Sequence, residues 1–155
     1  MAVNFHSPEG HFDASHTLFC LYNAYSIADG HRMSVASLAL FPQHDFPTLV
    51  PGDLNIHHLS SHPTHYFSDY AHFISSPYFD RASDLSFSLL NIPGSYTRFP
   101  FTITHRPAVL DLSFDSNALV SYFSSWNRSL PLPGSDHSPL SIVLSTPPQK
   151  PTPKV

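Results

Sequence analysis

Sixteen prolines in 155 residues are the feature that most limits what this chain can fold into. Each proline lacks a backbone N–H and pushes the residue before it away from helical backbone. Long helices and long central strands are therefore disfavoured, and short strands, short helices and many loops are expected. Material for a core is present all the same, because apolar residues make up 41% of the chain, with 13 Phe and 7 Tyr.

Charge is sparse and leans acidic. Charged residues are 12% of the chain and the formal net charge is −4, with His counted as neutral. The arginines are Arg32, Arg81, Arg98, Arg106 and Arg128, and the two lysines, Lys150 and Lys154, sit at the C-terminal end. A dense basic surface of the kind that neutralises many phosphates is absent, so a polyanionic substrate would be held by a metal, His and a few Arg. The lone Cys20 excludes an intramolecular disulfide framework, and within "TLFCLYNAY" it reads as a buried small hydrophobe. The start "MAVNFHSPEGHFD" lacks the basic and apolar blocks of a signal peptide, and no stretch reaches the ~18 apolar residues of a membrane span. The expectation is a soluble, intracellular protein that is not secreted.

Along the chain, "HTLFCLYNAY" (16–25) reads as a buried strand and "ADGHRMSVASLALF" as an amphipathic helix. "FPTLV" (46–50) is a short strand ending at a Gly-Asp turn. The His- and Ser-rich segment from Asn55 to Asp69 has no hydrophobic period and reads as a surface loop, with His57, His58, His62 and His65 as solvated histidines. "SPYFDRASDLSFSLLN" suggests a short helix running into a strand at Leu89–Asn91, and "GSYTRF", "PAVLDLSF" and "PLSIVL" are further strand candidates. Helical pieces alternating with strands make an α/β or α+β layered domain over 1–144, followed by a Pro-rich tail or linker over 145–155.

Three acidic positions draw attention. Asp53-x-Asn55 follows an apolar strand, where Asp and Asn commonly close turns. Asp111 lies within "VLDLSF", where a carboxylate needs a hydrogen-bond or metal partner. Asp136-His137 opens the last strand, 25 residues after Asp111 (136 − 111).

The ordered motifs "LYNAY", "GDLN", "YTRF", "LDL" and "GSDH" resemble the endonuclease/exonuclease/phosphatase superfamily, and most of all the endonuclease domains of non-LTR retrotransposons. The resemblance implies a four-layer α/β sandwich and a Mg²⁺- or Mn²⁺-dependent phosphodiester hydrolase with DNA as substrate. It implies that Asp53 orients or deprotonates the attacking water and that Asn55 donates to the phosphate. His137 would stabilise that phosphate, oriented by Asp111, with Asp136 on the metal side and Tyr25 and Thr97 near the phosphate. A fused or separate reverse transcriptase domain and a nuclear location would follow from a transposon origin. The family's first strands, with a catalytic Asn and a metal-binding Glu, have no counterpart here, and the single glutamate, Glu9, does not match that Glu. The expectation is therefore a domain incomplete at its N-terminus, whose turnover truncation would threaten. The alternatives are a catalytically dead remnant that acts as a binding module, or an enzyme of the same fold acting on a lipid or nucleotide.

Overall fold

The computed structural model describes residues 2–5, 19–25, 41, 43, 46–62 and 69–145. The expected helix within 26–40, His65, Glu9 and the Pro-rich end from 146 onward lie outside the described residues. Strands β1 (Ala2–Phe5), β2 (Phe19–Tyr22), β3 (Ala24–Tyr25) and β4 (Thr48–Asp53) precede helix α1 (Asp69–Asp84). Strands β5 (Phe87–Leu89), β6 (Asp111–Ser116), β7 (Phe123–Arg128) and β8 (Leu140–Leu144) follow it. The first six form one mixed sheet in the order β1-β2-β4-β6-β5, with β3 also on β4, and β7-β8 form a separate antiparallel pair.

Proline shapes this sheet as its number predicts. Strands β2 and β3 run parallel to β4 in one register, Leu21 opposite Leu49 and Ala24 opposite Gly52. They are separated only at Asn23, which lies level with Pro51. Pro51 has no N–H to give to a neighbour, so the ladder breaks there and resumes beyond it. Gly52 answers a second constraint, since a Cβ at that position would overlap the Ala24 carbonyl oxygen.

Strands β4 and β6 are antiparallel, with Val50 opposite Phe114, Gly52 opposite Leu112 and Asp53 opposite Asp111. Opposed residues share a face. Val50, Leu54, Leu112 and Phe114 therefore point together into the core, with Phe41, Tyr78, Ala82 and Phe87. Helix α1 supplies Ser75, Tyr78 and Ala82, all buried and spaced to lie on one side. Its Pro77 is exposed on the opposite side, where the lost backbone bond is least disruptive. The Tyr78 ring meets Phe114 edge-on at 5.5 Å and Phe41 at 4.8 Å. The helix begins at Asp69, well ahead of the expected segment, and stops at Ser86, which takes a left-handed φ of 60°. The strand after it is Phe87–Leu89, not Leu89–Asn91. Within "GSYTRF" only Arg98 makes bridge pairs, to Ala108 and His137. Strand β7 was not foreseen, because a bulge between Phe123 and Ser125 breaks the alternation that would have announced it. No helix among the described residues is long and apolar enough to cross a membrane.

The segment after β4 is not the solvated loop expected. Leu54, Ile56, Ser61 and His62 are buried, and the Ser61 carbonyl accepts the Gly94 N–H at 3.0 Å. Its apolar residues at 54 and 56 are too few to show a period, yet they close one end of the core.

The other face of β6 carries Ser113 and Asp115. Asp115 is 1% exposed and its Oδ1 has no partner among the described residues. Burial pushes its carboxyl up to about 6 from an ordinary 3.8. A raised acid pKa adds stability below the unfolded value, and that stability is lost as pH rises through the folded value. Folding should therefore weaken between about pH 4 and 6 by on the order of 3 kcal/mol. Urea denaturation of wild type and Asp115→Asn across that range should show the variant with the flatter profile and the higher stability at pH 7. Parallel profiles would reject the assignment.

Candidate active site

The site is built at one end of the β4–β6 pair. Asp53 is the last residue of β4 and Asp111 the first of β6, and their direct pairing places both carboxylates on one face. The chain turns immediately after Asp53. Asn55 adopts φ 49°, which Asn tolerates better than most residues, and its N–H donates to Asp53 Oδ1 at 3.3 Å. The Leu54 N–H donates to the Leu110 carbonyl at 3.0 Å and keeps the turn on β6. The backbone of Tyr25 pairs with that of Asp53 at the end of β3.

Asp136 and His137 arrive on a turn in which Gly134 has φ 84° and the Ser135 N–H donates to the Leu132 carbonyl. The Ser135 hydroxyl accepts the His137 N–H and donates to the His137 carbonyl, both at 3.1 Å. This turn is tied to the start of β6 by the short segment 97–99. The Thr97 carbonyl accepts the Ser138 N–H at 2.7 Å, and the Phe99 N–H donates to the Asp136 carbonyl at 2.6 Å. Arg98 exchanges backbone bonds with Ala108, its N–H at 2.9 Å and its carbonyl at 3.0 Å.

The side chains then meet. His137 Nδ1 lies 2.9 Å from Asp111 Oδ2. An ionised carboxylate only accepts, so this contact assigns the proton to Nδ1 and leaves Nε2 as the second ring nitrogen for other chemistry. Asp136 Oδ2 accepts from Arg98 Nε at 2.8 Å, while its Oδ1 is 3.9 Å from His137 Nε2. The Arg98 hydrogen bond holds the Asp136 carboxyl below the usual range. Asp53 moves the other way. Burial raises it first and the neighbouring Asp111 charge raises it further, while His137 and the Asn55 bonds oppose both.

Asp53, Asp111 and His137 offer ligand atoms that all lie within 4.8 Å of one another. Two carboxylates with an imidazole beside them offer oxygen and nitrogen donors to a divalent cation. Asp136 is not part of this group, and Arg98 engages it. Asp53, Asn55, Asp111, Asp136 and His137 thus gather at one end of the sheet. Thr97 is placed differently from a phosphate contact: it is fully buried, and its Oγ1 accepts the N–H groups of Leu110 at 3.0 Å and Asp111 at 2.9 Å.

Arg98 is the site residue that the sequence analysis passed over. Its signal was its place beside Thr97 in "YTRF", in a chain with few cations. The histidines after β4 are packing groups. His58 stacks on Phe79 at 3.7 Å and 13°, and buried His62 meets Tyr96 edge-on at 5.3 Å. His57 lies across His62 at 6.2 Å, and burial, followed by the nearby His62 and Arg98, lowers its proton affinity.

No protein-family model matches the chain, and no curated protein matches it. Solved structures do. A 3′ phosphatase from Neisseria, NExo, bound to a product DNA hairpin, aligns at TM-score 0.50 and 16% identity over 64% of this chain and 46% of its own. The endonuclease domain of TRAS1, a telomere-specific non-LTR retrotransposon, aligns at 0.49 and 17% over 63% of this chain and 41% of its own. The AP endonuclease LMAP from Leishmania major aligns at 0.47 and 18% over 64% of this chain and 35% of its own. The chain thus spans less than half the length of these structures. It has the α/β fold of the endonuclease/exonuclease/phosphatase type.

Thr97→Val keeps the shape of the side chain and removes the acceptor for two buried amides. The variant should lose about 1–3 kcal/mol of stability, read by urea denaturation. An unchanged midpoint would show that the hydroxyl does not hold the start of β6.

Proposed function

We propose that the chain is a metal-dependent phosphodiester hydrolase that cleaves DNA, of the kind found in non-LTR retrotransposons. The observation that carries this reading is the convergence of Asp53, Asp111 and His137 within 4.8 Å. The Neisseria structure, held with a DNA hairpin, and the ordered motifs from "LYNAY" to "GSDH" support DNA as the substrate.

Hydrolysis forms a new P–O bond from water and breaks the bond to the leaving oxygen, so the site has to take a proton and disperse charge. Asp53 accepts the proton from water, its carboxylate set opposite Asp111 on one face of the sheet end. Asn55, on its left-handed turn, sits beside it as a donor toward a phosphate oxygen. The Nδ1 contact with Asp111 fixes the His137 ring, which when doubly protonated would present an Nε2–H donor to the phosphate. A divalent cation held by the carboxylates of this cluster would neutralise phosphate charge. Tyr25, whose backbone pairs with Asp53, takes the phosphate role that the resemblance implies.

Two observations favour a second reading, binding without turnover. Arg98 already neutralises Asp136, and the described residues include no glutamate. Nicking of supercoiled plasmid with Mg²⁺ or Mn²⁺ separates the two. Wild type should nick, EDTA should stop it, and Asp53→Ala and His137→Ala should each lose about 10²-fold or more. Folded wild type that nicks no faster than the variants would leave the binding reading standing.

A further inference from the structure

Asn91 follows β5 and is 4% exposed. Both ends of its amide reach the backbone of β6. Nδ2 donates to the Asp111 carbonyl at 2.9 Å, and Oδ1 accepts the Ser113 N–H at 2.8 Å. Just before it, the Leu90 N–H donates to the Ser113 carbonyl at 2.8 Å. The paired residues of β5 and β6 end at Leu89 and Phe114. From there the Asn91 side chain acts as one more rung, carrying the ladder back to Asp111.

Asp111 is the first residue of its strand, where backbone would ordinarily fray. β4 supports it on one side through Asp53. On the other, Thr97 Oγ1 takes its N–H and Asn91 Nδ2 gives to its carbonyl. Both polar atoms of a buried amide are thus spent on the two peptide groups that flank Leu112, the first of which carries the Asp111 carbonyl. A leucine would fill similar space and leave the Asp111 carbonyl and the Ser113 N–H without these partners.

We propose that Asn91 is a positioning residue: by holding the backbone on either side of Leu112, it sets the direction from which Asp111 meets His137 Nδ1. Its effect on activity rests on the hydrolase reading; its effect on the Asp111–His137 contact does not. A misplacement of about 1 Å at a reacting group can lower a rate by about 10²-fold, and loss of a supporting partner typically lowers it by about 10–100-fold.

The test compares wild type, Asn91→Ala, Asn91→Asp and Leu89→Ala. Leu89→Ala weakens the β5–β6 edge without touching Asp111. Nitrogen NMR of the neutral His137 ring reports which nitrogen carries the proton. Wild type and Leu89→Ala should hold it on Nδ1, whereas Asn91→Ala should populate the Nε2–H form. Asn91→Asp still accepts from Ser113 but cannot donate to Asp111, and it should fall between the two. In plasmid nicking, kcat should drop by about 10-fold in Asn91→Ala, with KM little changed and Leu89→Ala close to wild type. Folded Asn91 variants that keep the wild-type proton position would overturn the proposal. If Asn91→Ala does not fold, the near-isosteric Asn91→Asp decides by the same readout. Absence of nicking by wild type would reject the hydrolase reading, and the NMR comparison alone would then decide the role of Asn91.

Discussion

The register of β4 against β6 is the constraint on which the rest of this structure depends. Opposing Asp53 to Asp111 also opposes Val50 to Phe114 and Gly52 to Leu112. One alignment therefore fills the core and assembles the site. A slip by one residue would turn Leu112 and Phe114 out of the core and bring Ser113 and Asp115 in. Tyr78 and Phe41, packed on Phe114 and on each other, oppose that slip through ring contacts available in only one register. Hydrophobic burial thus indirectly specifies the distance between two carboxylates.

A second element, the segment at Thr97 and Arg98, converts this pair into a site. It hydrogen-bonds to the start of β6 and to the turn carrying Asp136 and His137. The side chains then pair: Arg98 with Asp136 as ions, and His137 with Asp111 through the Nδ1 hydrogen bond, with Asp53 beside it. These partners make it tolerable to crowd three carboxylates at one sheet end. Burial and the neighbouring Asp111 charge raise the proton affinity of Asp53.

Several buried polar atoms, including Tyr78 Oη in the aromatic core, are not satisfied by the described residues. Ser113 Oγ, Asp115 Oδ1, Trp126 Nε1 and Ser138 Oγ are buried without hydrogen-bond partners among the described residues. Groups of this kind lower stability. Two of them lie on β6 and a third directly follows His137, so the strand and turn that carry the chemistry are also where folding free energy is lost.

Much of the strand order was legible in the sequence, because apolar runs bounded by Pro and Gly are local signals: "FPTLV", "VLDLSF" and "PLSIVL" each contain or adjoin a strand. The motifs "GDLN", "LDL" and "GSDH" marked which strand ends carry Asp53, Asn55, Asp111 and His137, since a carboxylate or amide beside a buried strand demands a partner. The fold type and a divalent metal were expected from the resemblance those motifs carry, with Asp136, not the Asp53–Asp111–His137 group, on the metal side. Long-range pairing decided the rest. No local pattern announces that Thr97 is buried under two amides, that Arg98 reaches Asp136 across 38 residues of sequence, or that Asn91 extends a strand with its side chain. Nor does polarity reveal that His58 and His62 pack against rings, because burial depends on which element lands on top. The sequence by itself determined which residues could do chemistry. Only the tertiary structure decided their distances and charges, since those depend on neighbours far away along the chain.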